Sequence, residues 1–499
     1  MRSTSSRSDR TTSPELLVAV DRSSAVPARQ QIEDALRGAV RAGTLAAGTR
    51  LPSTRALAVD LRVARGVVVE AYEQLVAEGY LLSRRGSGTT VASLPATPVP
   101  VLAPSATAPS APGGAGVGRA TGVAGVGNGG GSGLRWDFRP GIPDLALFPR
   151  QQWQRAARAG LAALPDADLG YGDPRGLPSL RAELASYLGR VRGVVADPDR
   201  IVVTSGFAQG LALVAAALVD ARGRGCRVGV EDPGGPGQRS LLAYAGANPV
   251  PVPVDAHGLD PATLGGCVAA LVTPAHQFPT GVVLTSARRA ALLDWARRRN
   301  AYVLEDDYDA EYRFDREPIG AVQGLDPDRV VYAGSLSKSL APALRIGWLV
   351  LPGPLVEGVL RGRSATDLAP PVLAQAALRT FLAAGELDRH LRRTRLAYRE
   401  RRDRLALAVA RDAPDLELAG IPAGLHAVGL LPPGTDEAGV VAGAAAASVG
   451  VYPMAAYRVV PRPGDRPGIV LGYAPLRPDA IAEGVRRLGA VLGVAPIRA

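Results

Sequence analysis

The sequence predicts an α/β protein built as two folded parts on either side of a linker, and three observations predict it. Residues 15–92 carry helical apolar periodicity punctuated by turn signals. Residues 93–134 are a Pro/Ala stretch that becomes Gly-rich, a composition that buries no core. From Trp136 onward, apolar strand-like runs alternate with Ala/Leu/Arg-rich helical patterns, which is how a mostly parallel sheet flanked by helices reads. A chain of 499 residues is also too long for one ordinary core.

Composition narrows the function classes. There is no run of eighteen apolar residues and the first residues are polar, so neither a membrane span nor a secretory leader is expected. Cys226 and Cys267 are too few for a disulfide framework, and no metal-ligand spacing is present. The expectation is a cytoplasmic protein without a metal. The formal charge of +11 invites a nucleic-acid partner. Of the 57 basic residues, all but Lys338 are arginine. Guanidinium replaces ammonium as a solvated charge but not as a deprotonatable amine nucleophile. The single lysine therefore marks a place where amine chemistry is needed, unless it is a chance survivor.

In the first part, Ile32, Leu36 and Val40 recur at helical spacing and Gly43 is placed to stop that helix. Ser53 is a good N-cap for a second helix with Leu57 and Leu61, and ARGVVVEAYEQLVAEGYL gives a third with Val68, Tyr72 and Leu75 on one face. LLSRRGSGTTVA then reads as a hairpin turning at Arg85-Gly86-Ser87-Gly88. Three helices and a hairpin make a winged helix-turn-helix, whose recognition helix enters the major groove of double-stranded DNA while the wing follows the backbone. The residues expected at the duplex are Ser53, Arg55, Arg65, Gly66, Arg84, Arg85, Gly86 and Gly88. The competing reading is a small helical oligomerisation domain with solvated arginines. LPSTRALAVDL, VVVEAYEQLVAEGYL and RRGSGTTV together resemble the DNA-binding module of the GntR family. Ala64 departs from that resemblance, because the family has Ser or Thr as the cap of the recognition helix.

In the second part, motifs fall at the carboxyl ends of predicted strands, where open α/β sheets bind ligands. RIVVTSG ends in Ser205-Gly206-Phe207 at the start of a helix, an anion cradle. AYVLEDDYDAEY carries Asp306 and Tyr308; RVVYAG leads into SLSKSLAPALRIGW with Ser335, Ser337, Lys338 and Arg345. An amine for an aldehyde, an acid for a pyridine nitrogen, and hydroxyl and guanidinium donors for a phosphate are the needs of pyridoxal 5'-phosphate. Taken singly, Asp306 also reads as a strand-end carboxylate and the serines as helix caps.

LGYGDPRGLPSLRAELASYLGRVRGV, EDPGGPG, VTPAHQFPTG, EDDYDAEYRFD and the lysine segment resemble fold-type I aminotransferases, with a smaller C-terminal subdomain, over residues 135–499. The resemblance implies Lys338 as the Schiff-base and catalytic lysine, Asp306 as the pyridinium partner, and Tyr308 near the phenolic oxygen. It also implies Ser335, Ser337, Arg345 and the Ser205-Gly206-Phe207 turn as the phosphate site. Tyr171 resembles the tyrosine lent to a neighbouring subunit, which implies a homodimer. With ELDRHLRRTRLAYRERRD, the two halves in this order resemble the MocR/GabR family of GntR-type regulators.

Departures from the family pattern qualify what the resemblance implies. Gly235 stands where an aromatic ring stacks on the cofactor, Gly237 where an arginine grips an effector carboxylate, Val470 where aminotransferases carry their carboxylate-binding arginine, and Phe278 where the enzymes use asparagine. Arg175, Arg458, Arg462 and Arg466 remain as carboxylate anchors to be located. His276 lies near a motif, whereas His257, His390 and His426 read as structural. The arginines of 389–402 read as a solvated helix face or as a second DNA-contacting surface. Three functions stay open: a regulator that senses an amine effector or pyridoxal phosphate, an aminotransferase with a DNA-binding module attached, or a cofactor-free DNA-binding scaffold.

Overall fold

A computed structural model describes residues 20–22, 24, 26–42, 44–84, 88–92, 133–314 and 319–493. The chain divides into two compact units, one within residues 1–120 and the other within 121–499.

The first unit holds α1 (Ala28–Arg41), α2 (Thr54–Asp60), α3 (Arg65–Glu78), β1 (Leu81–Arg84) and β2 (Gly88–Val91). Ile32, Leu36, Leu57, Val68 and Leu75 form its interior. The periodic apolar face drives α1 onto α3, and Arg37 fixes the pair through a charge-assisted bond to Glu78 at 3.0 Å. Ser53 caps α2 by accepting from the N–H of Ala56 at 3.1 Å, while Ala64 caps α3 with no side-chain bond. Gly79 ends α3 in the left-handed region (φ 89°), which a residue with a Cβ adopts at a cost. The strands pair antiparallel from Leu81 with Val91 to Arg84 with Gly88. Gly43, Arg85, Gly86 and Ser87 lie outside the described residues, as do residues 93–132 of the expected linker.

The second unit opens with β3 (Trp136–Asp137), α4 (Arg150–Ala162) and α5 (Pro178–Arg192). Next come β4 (Ile201–Thr204), α6 (Phe207–Arg222), β5 (Arg227–Asp232), α7 (Pro236–Tyr244), β6 (Asn248–Asp255), β7 (Gly258–Leu259) and β8 (Ala269–Val272). They are followed by α8 (Ser286–Arg299), β9 (Tyr302–Asp307), β10 (Val330–Ser335) and β11 (Gly347–Val350). Eight strands form one sheet in the order β4-β11-β10-β9-β8-β5-β6-β7. β10, β9, β8, β5 and β6 run parallel; β11 is antiparallel to both β10 and β4, and β7 to β6. Strands β4, β8 and β9 are buried along their length, as strands covered on both faces by helices must be.

After α9 (Gly353–Thr366), α10 (Val372–Ala383) and the long α11 (Glu386–Asp412), the chain builds a second sheet. It contains β12 (Glu417–Ala419), β13 (His426–Leu430), β15 (Tyr452–Pro453) and β16 (Gly468–Gly472) in the order β12-β13-β16-β15. Between them lie α12 (Glu437–Ala446) and β14 (Val449–Gly450), the latter paired with β3; α13 (Pro478–Leu492) packs on α11.

Register decides what meets at the sheet edge. Thr204, Gly347 and Ser335 stand in one row across β4, β11 and β10, and the next row pairs Gly334 with Asp307. The carboxyl ends of β4, β10 and β9 thus share one edge. A Cβ on Gly347 would sit 2.9 Å from Gly206 Cα, so glycine is what lets the turn after β4 close on this row.

Candidate functional site

Lys338 follows β10 by three residues, and its ammonium donates to the carbonyl of Gly141. Burial lowers its pKa, against the pull of Asp306 and Asp309. Asp306, on the neighbouring strand β9, is pushed up to about 8, chiefly by burial. The Gln238 amide donates to its Oδ2 at 2.8 Å and, with Lys338, holds the rise back. Amine and acid are both driven toward neutrality, so the pair suits a ligand that brings a cationic nitrogen to the carboxyl and an electrophile to the amine.

The anion cradle lies on the same edge. Gly206 precedes α6 with φ 86° and ψ 173°, a backbone reserved almost wholly for glycine. A Cβ there would lie 3.0 Å from Nη1 of Arg345, whose Nη2 donates to the Ser205 carbonyl at 2.5 Å. The N–H of Ser205 is already given to Gln209 Oε1 at 2.6 Å, and Gln209 is held by buried Arg363 and by Asp367. The turn therefore offers an anion the first N–H groups of α6, with Arg345 beside them. Ser335, the last residue of β10, and Ser337 just beyond it are both half-buried and stand two strands away from β4 on the same edge. A buried acid, an amine whose pKa burial lowers, and a glycine-only cradle with its guanidinium fit pyridoxal 5'-phosphate.

Tyr308 donates to the carbonyl of His276 at 2.9 Å and lies 3.1 Å from His276 Nδ1. His276 Nδ1 also meets Asp309 Oδ2 at 2.9 Å, and His426 Nε2 meets the Pro279 carbonyl at 3.0 Å. The ligand-capable atoms of His276, Asp309 and His426 lie within 4.8 Å of one another, although no sequence spacing announced it. These hydrogen bonds account for the cluster, and burial lowers the His426 pKa to about 3. Phe278 packs edge-on against His426 at 5.1 Å and Tyr457 at 5.3 Å. Tyr457 joins Val428, Met454 and Val470 in a small apolar cluster.

The four arginines left to be located are all engaged. Arg175 pairs with Asp173 and Asp199, Arg458 with Asp465, Arg462 with Asp232, and Arg466 with Glu417. Tyr171 stands 92% exposed, away from contacts within its own chain that would hold it. In the first unit, Arg55, Arg65 and Gly66 are exposed, Gly88 (φ 84°) packs against Arg50, and Arg84 ends β1. The basic helix α11 corrects the reading of a solvated face at Arg401 and Arg402 alone. Arg392, Arg393 and Arg399 are exposed, whereas His390, Arg401 and Arg402 are buried, Arg401 on Asp144 at 2.7 Å.

Sequence reasoning missed Gln238, His426 and Tyr457. They come from α7, β13 and the turn after β15, and no spacing along the chain connects them. The one signal was negative: a glycine at 235 left a vacancy, and the Gln238 side chain packs there, 3.2 Å from where a Gly235 Cβ would be.

Comparison with known proteins agrees with this geometry. The gntR family of bacterial regulatory proteins matches residues 28–91, and the aminotransferase class I and II family matches residues 143–462. The chain is 36% identical over 489 residues to a probable rhizopine catabolism regulatory protein, MocR, of Rhizobium meliloti, covering 95% of each. It is 35% identical over 400 residues to the pyridoxine biosynthesis transcriptional regulator PdxR of Corynebacterium glutamicum, covering 80% of this chain and 82% of that one. Among solved structures, the α-aminoadipate aminotransferase LysN of Thermus thermophilus, complexed with N-(5'-phosphopyridoxyl)-L-leucine, superposes with a TM-score of 0.64 at 27% identity. That match covers 72% of this chain and 92% of LysN. No described helix is long and apolar enough to cross a membrane.

Proposed function

The chain belongs to the MocR/GabR family of GntR-type transcriptional regulators, and from that premise we propose that its aminotransferase-like domain senses an amine, or pyridoxal 5'-phosphate itself, and changes how the winged helix engages its operator. Residues 15–92 bind DNA, 93–134 tether, and 135–499 form the sensor. One observation carries the reading: Lys338 and the buried Asp306 on adjacent strand ends, with the Gly206–Arg345 cradle on the same edge.

Pyridoxal phosphate supplies an aldehyde that takes a primary amine. Lys338 would be the amine it takes at rest, and burial lowers that amine's pKa. Asp306 would be the acidic partner of the pyridine nitrogen. Arg345, Ser335, Ser337 and the Ser205-Gly206-Phe207 turn would hold the phosphate, and Tyr308 would lie toward the ring's phenolic oxygen. Tyr171, exposed in its own chain, serves the site of a second copy in a homodimer. An amine taking the place of Lys338 would change the charge beside Asp306, and a response at the operator would follow only from such a difference between two states. The relative named for pyridoxine biosynthesis supports the cofactor as one signal.

At the duplex, Arg55 and Arg65 lie near helix starts, where guanidinium and helix N-terminus meet phosphate together. Ser53, Gly66, Arg84 and Gly88 are read as contributing with them, as are Arg85 and Gly86, which lie outside the described residues. The test maps genomic binding sites of the full chain with and without pyridoxal phosphate, then measures affinity for the recovered promoters. Occupancy that changes with the cofactor is expected. Sustained keto-acid production from amino acids at enzyme-like rates would favour the aminotransferase alternative instead.

A further inference from the structure

We propose a second ligand site, apart from Lys338, that takes a small phosphate monoester carrying a free hydroxyl. It is a cavity of about 350 Å³ between the start of α4 and the first turns of α11. That is the size of a site for a small organic molecule rather than for a single ion. Arg150, Gln151 and Gln152 line it from α4, and His390, Arg393 and Thr394 from α11, where residues three and four apart share one face.

The charged side of the lining selects an anion. The start of α4 leaves the N–H groups of Gln151 and Gln152 without an intrahelical partner, and they find no other backbone partner among the described residues. The guanidinium groups of Arg150 and Arg393 are exposed and form no ion pair or hydrogen bond among the described residues. The acids on the adjoining turns are already paired: Asp144 with Arg401 at 2.7 Å, Glu386 with Arg389 at 3.0 Å and Asp388 with Arg190 at 2.7 Å. Two uncommitted cations beside a helix N-terminus suit a phosphate group.

His390 selects the hydroxyl. It is 2% exposed, and its Nε2 donates to the Ser339 carbonyl at 2.8 Å. A carbonyl only accepts, so Nε2 carries the proton, and burial, which lowers the pKa of this ring, keeps it neutral. Nδ1 is then a bare lone pair, buried and without a partner. It needs a donor, which a phosphate dianion does not offer and an alcohol does. Occupancy also has a bonded route to the lysine, a consequence that rests on the function proposed above. Ser339 directly follows Lys338, and its carbonyl lies 3.4 Å from the Tyr312 hydroxyl, itself 3.1 Å from Thr394 Oγ1.

The test titrates glycerol 3-phosphate into the full chain loaded with pyridoxal phosphate, so that the Gly206–Arg345 cradle is already filled, and reads heat and the visible absorbance of the cofactor. Saturable binding is expected, with inorganic phosphate roughly two- to tenfold weaker for want of one hydrogen bond and glycerol without effect. Replacing both exposed arginines, Arg150→Ala with Arg393→Ala, should weaken glycerol 3-phosphate at least about tenfold and leave the cofactor band in place. No saturable binding, equal affinity for inorganic phosphate, or binding that the double variant leaves unchanged would overturn the inference. So would a double variant that loses promoter affinity but not glycerol 3-phosphate, since these arginines would then serve the duplex. A chain that takes up no cofactor would instead sink the function proposed above. The same titration on cofactor-free Arg345→Ala, whose cradle lacks its guanidinium, would still decide the second site.

Discussion

The side-chain amide of Gln238 donates to Asp306 Oδ2 at 2.8 Å from a position against the backbone of Gly235. The side chain that compensates for the bare glycine is therefore also the one that orients the acid expected to face the cofactor's pyridine nitrogen. Gln238→Ala should weaken pyridoxal phosphate binding by about 0.5–1.5 kcal/mol, roughly two- to tenfold, as loss of one hydrogen bond does. Equilibrium dialysis of the cofactor checks this, and Gln238→Glu should bind no better.

Gly206→Ala tests the cradle. The residue sits at φ 86° and ψ 173°, and a methyl there would press to 3.0 Å on Arg345. Strain of about 1–3 kcal/mol plus a displaced guanidinium should release most of the cofactor. Basal DNA affinity of the first unit should be unchanged, as measured by fluorescence anisotropy on a mapped promoter.

The buried acids set a pH dependence. Burial raises Asp306 to about 8 and Glu231 and Glu305 to about 7. In the fold these groups keep protons that the unfolded chain gives up near its ordinary carboxylate values of 3.8 and 4.5. Folding is thus most favoured at low pH on this account, and that contribution drains away as pH rises through about 7 to 8. Thermal melts of the cofactor-free chain should fall in Tm between about pH 5 and about pH 8, and Asp306→Asn should flatten the fall.

Much of this fold was legible because its signals are local. Ser53 announced the cap of α2, the spacing of Val68, Tyr72 and Leu75 announced α3, and the SG turn after RIVVT announced the start of α6. Lys338 and Asp306 stood out for a different reason, since amine and acid chemistry admits few residue types, and the sheet brings their strand ends side by side. What stayed hidden depends on register between distant segments. His426 reaches His276 from β13, and Val470 meets Phe278's neighbours only after two sheets have formed. Arg401 and Arg402 of α11 read as solvated because helical periodicity gives a face but not its neighbour; Asp144, which takes Arg401, lies far earlier in the chain.

Ala64 offers a gain rather than a loss. It occupies the N-cap of α3 in extended conformation (φ −65°, ψ 141°) without a side-chain acceptor for the helix's first N–H groups. Ala64→Ser should stabilise the first unit by about 0.5–2 kcal/mol. Chemical denaturation followed by a probe in that unit would read it.

The central claim is that the chemistry at Lys338 speaks to the DNA-binding module. The most direct test measures promoter affinity of wild type and Lys338→Ala, each with and without saturating pyridoxal phosphate, while recording visible absorbance. The prediction is a cofactor band in wild type that the variant lacks, with promoter affinity that responds to the cofactor in wild type alone. A wild-type protein without the band, or with affinity indifferent to the cofactor, would contradict the account.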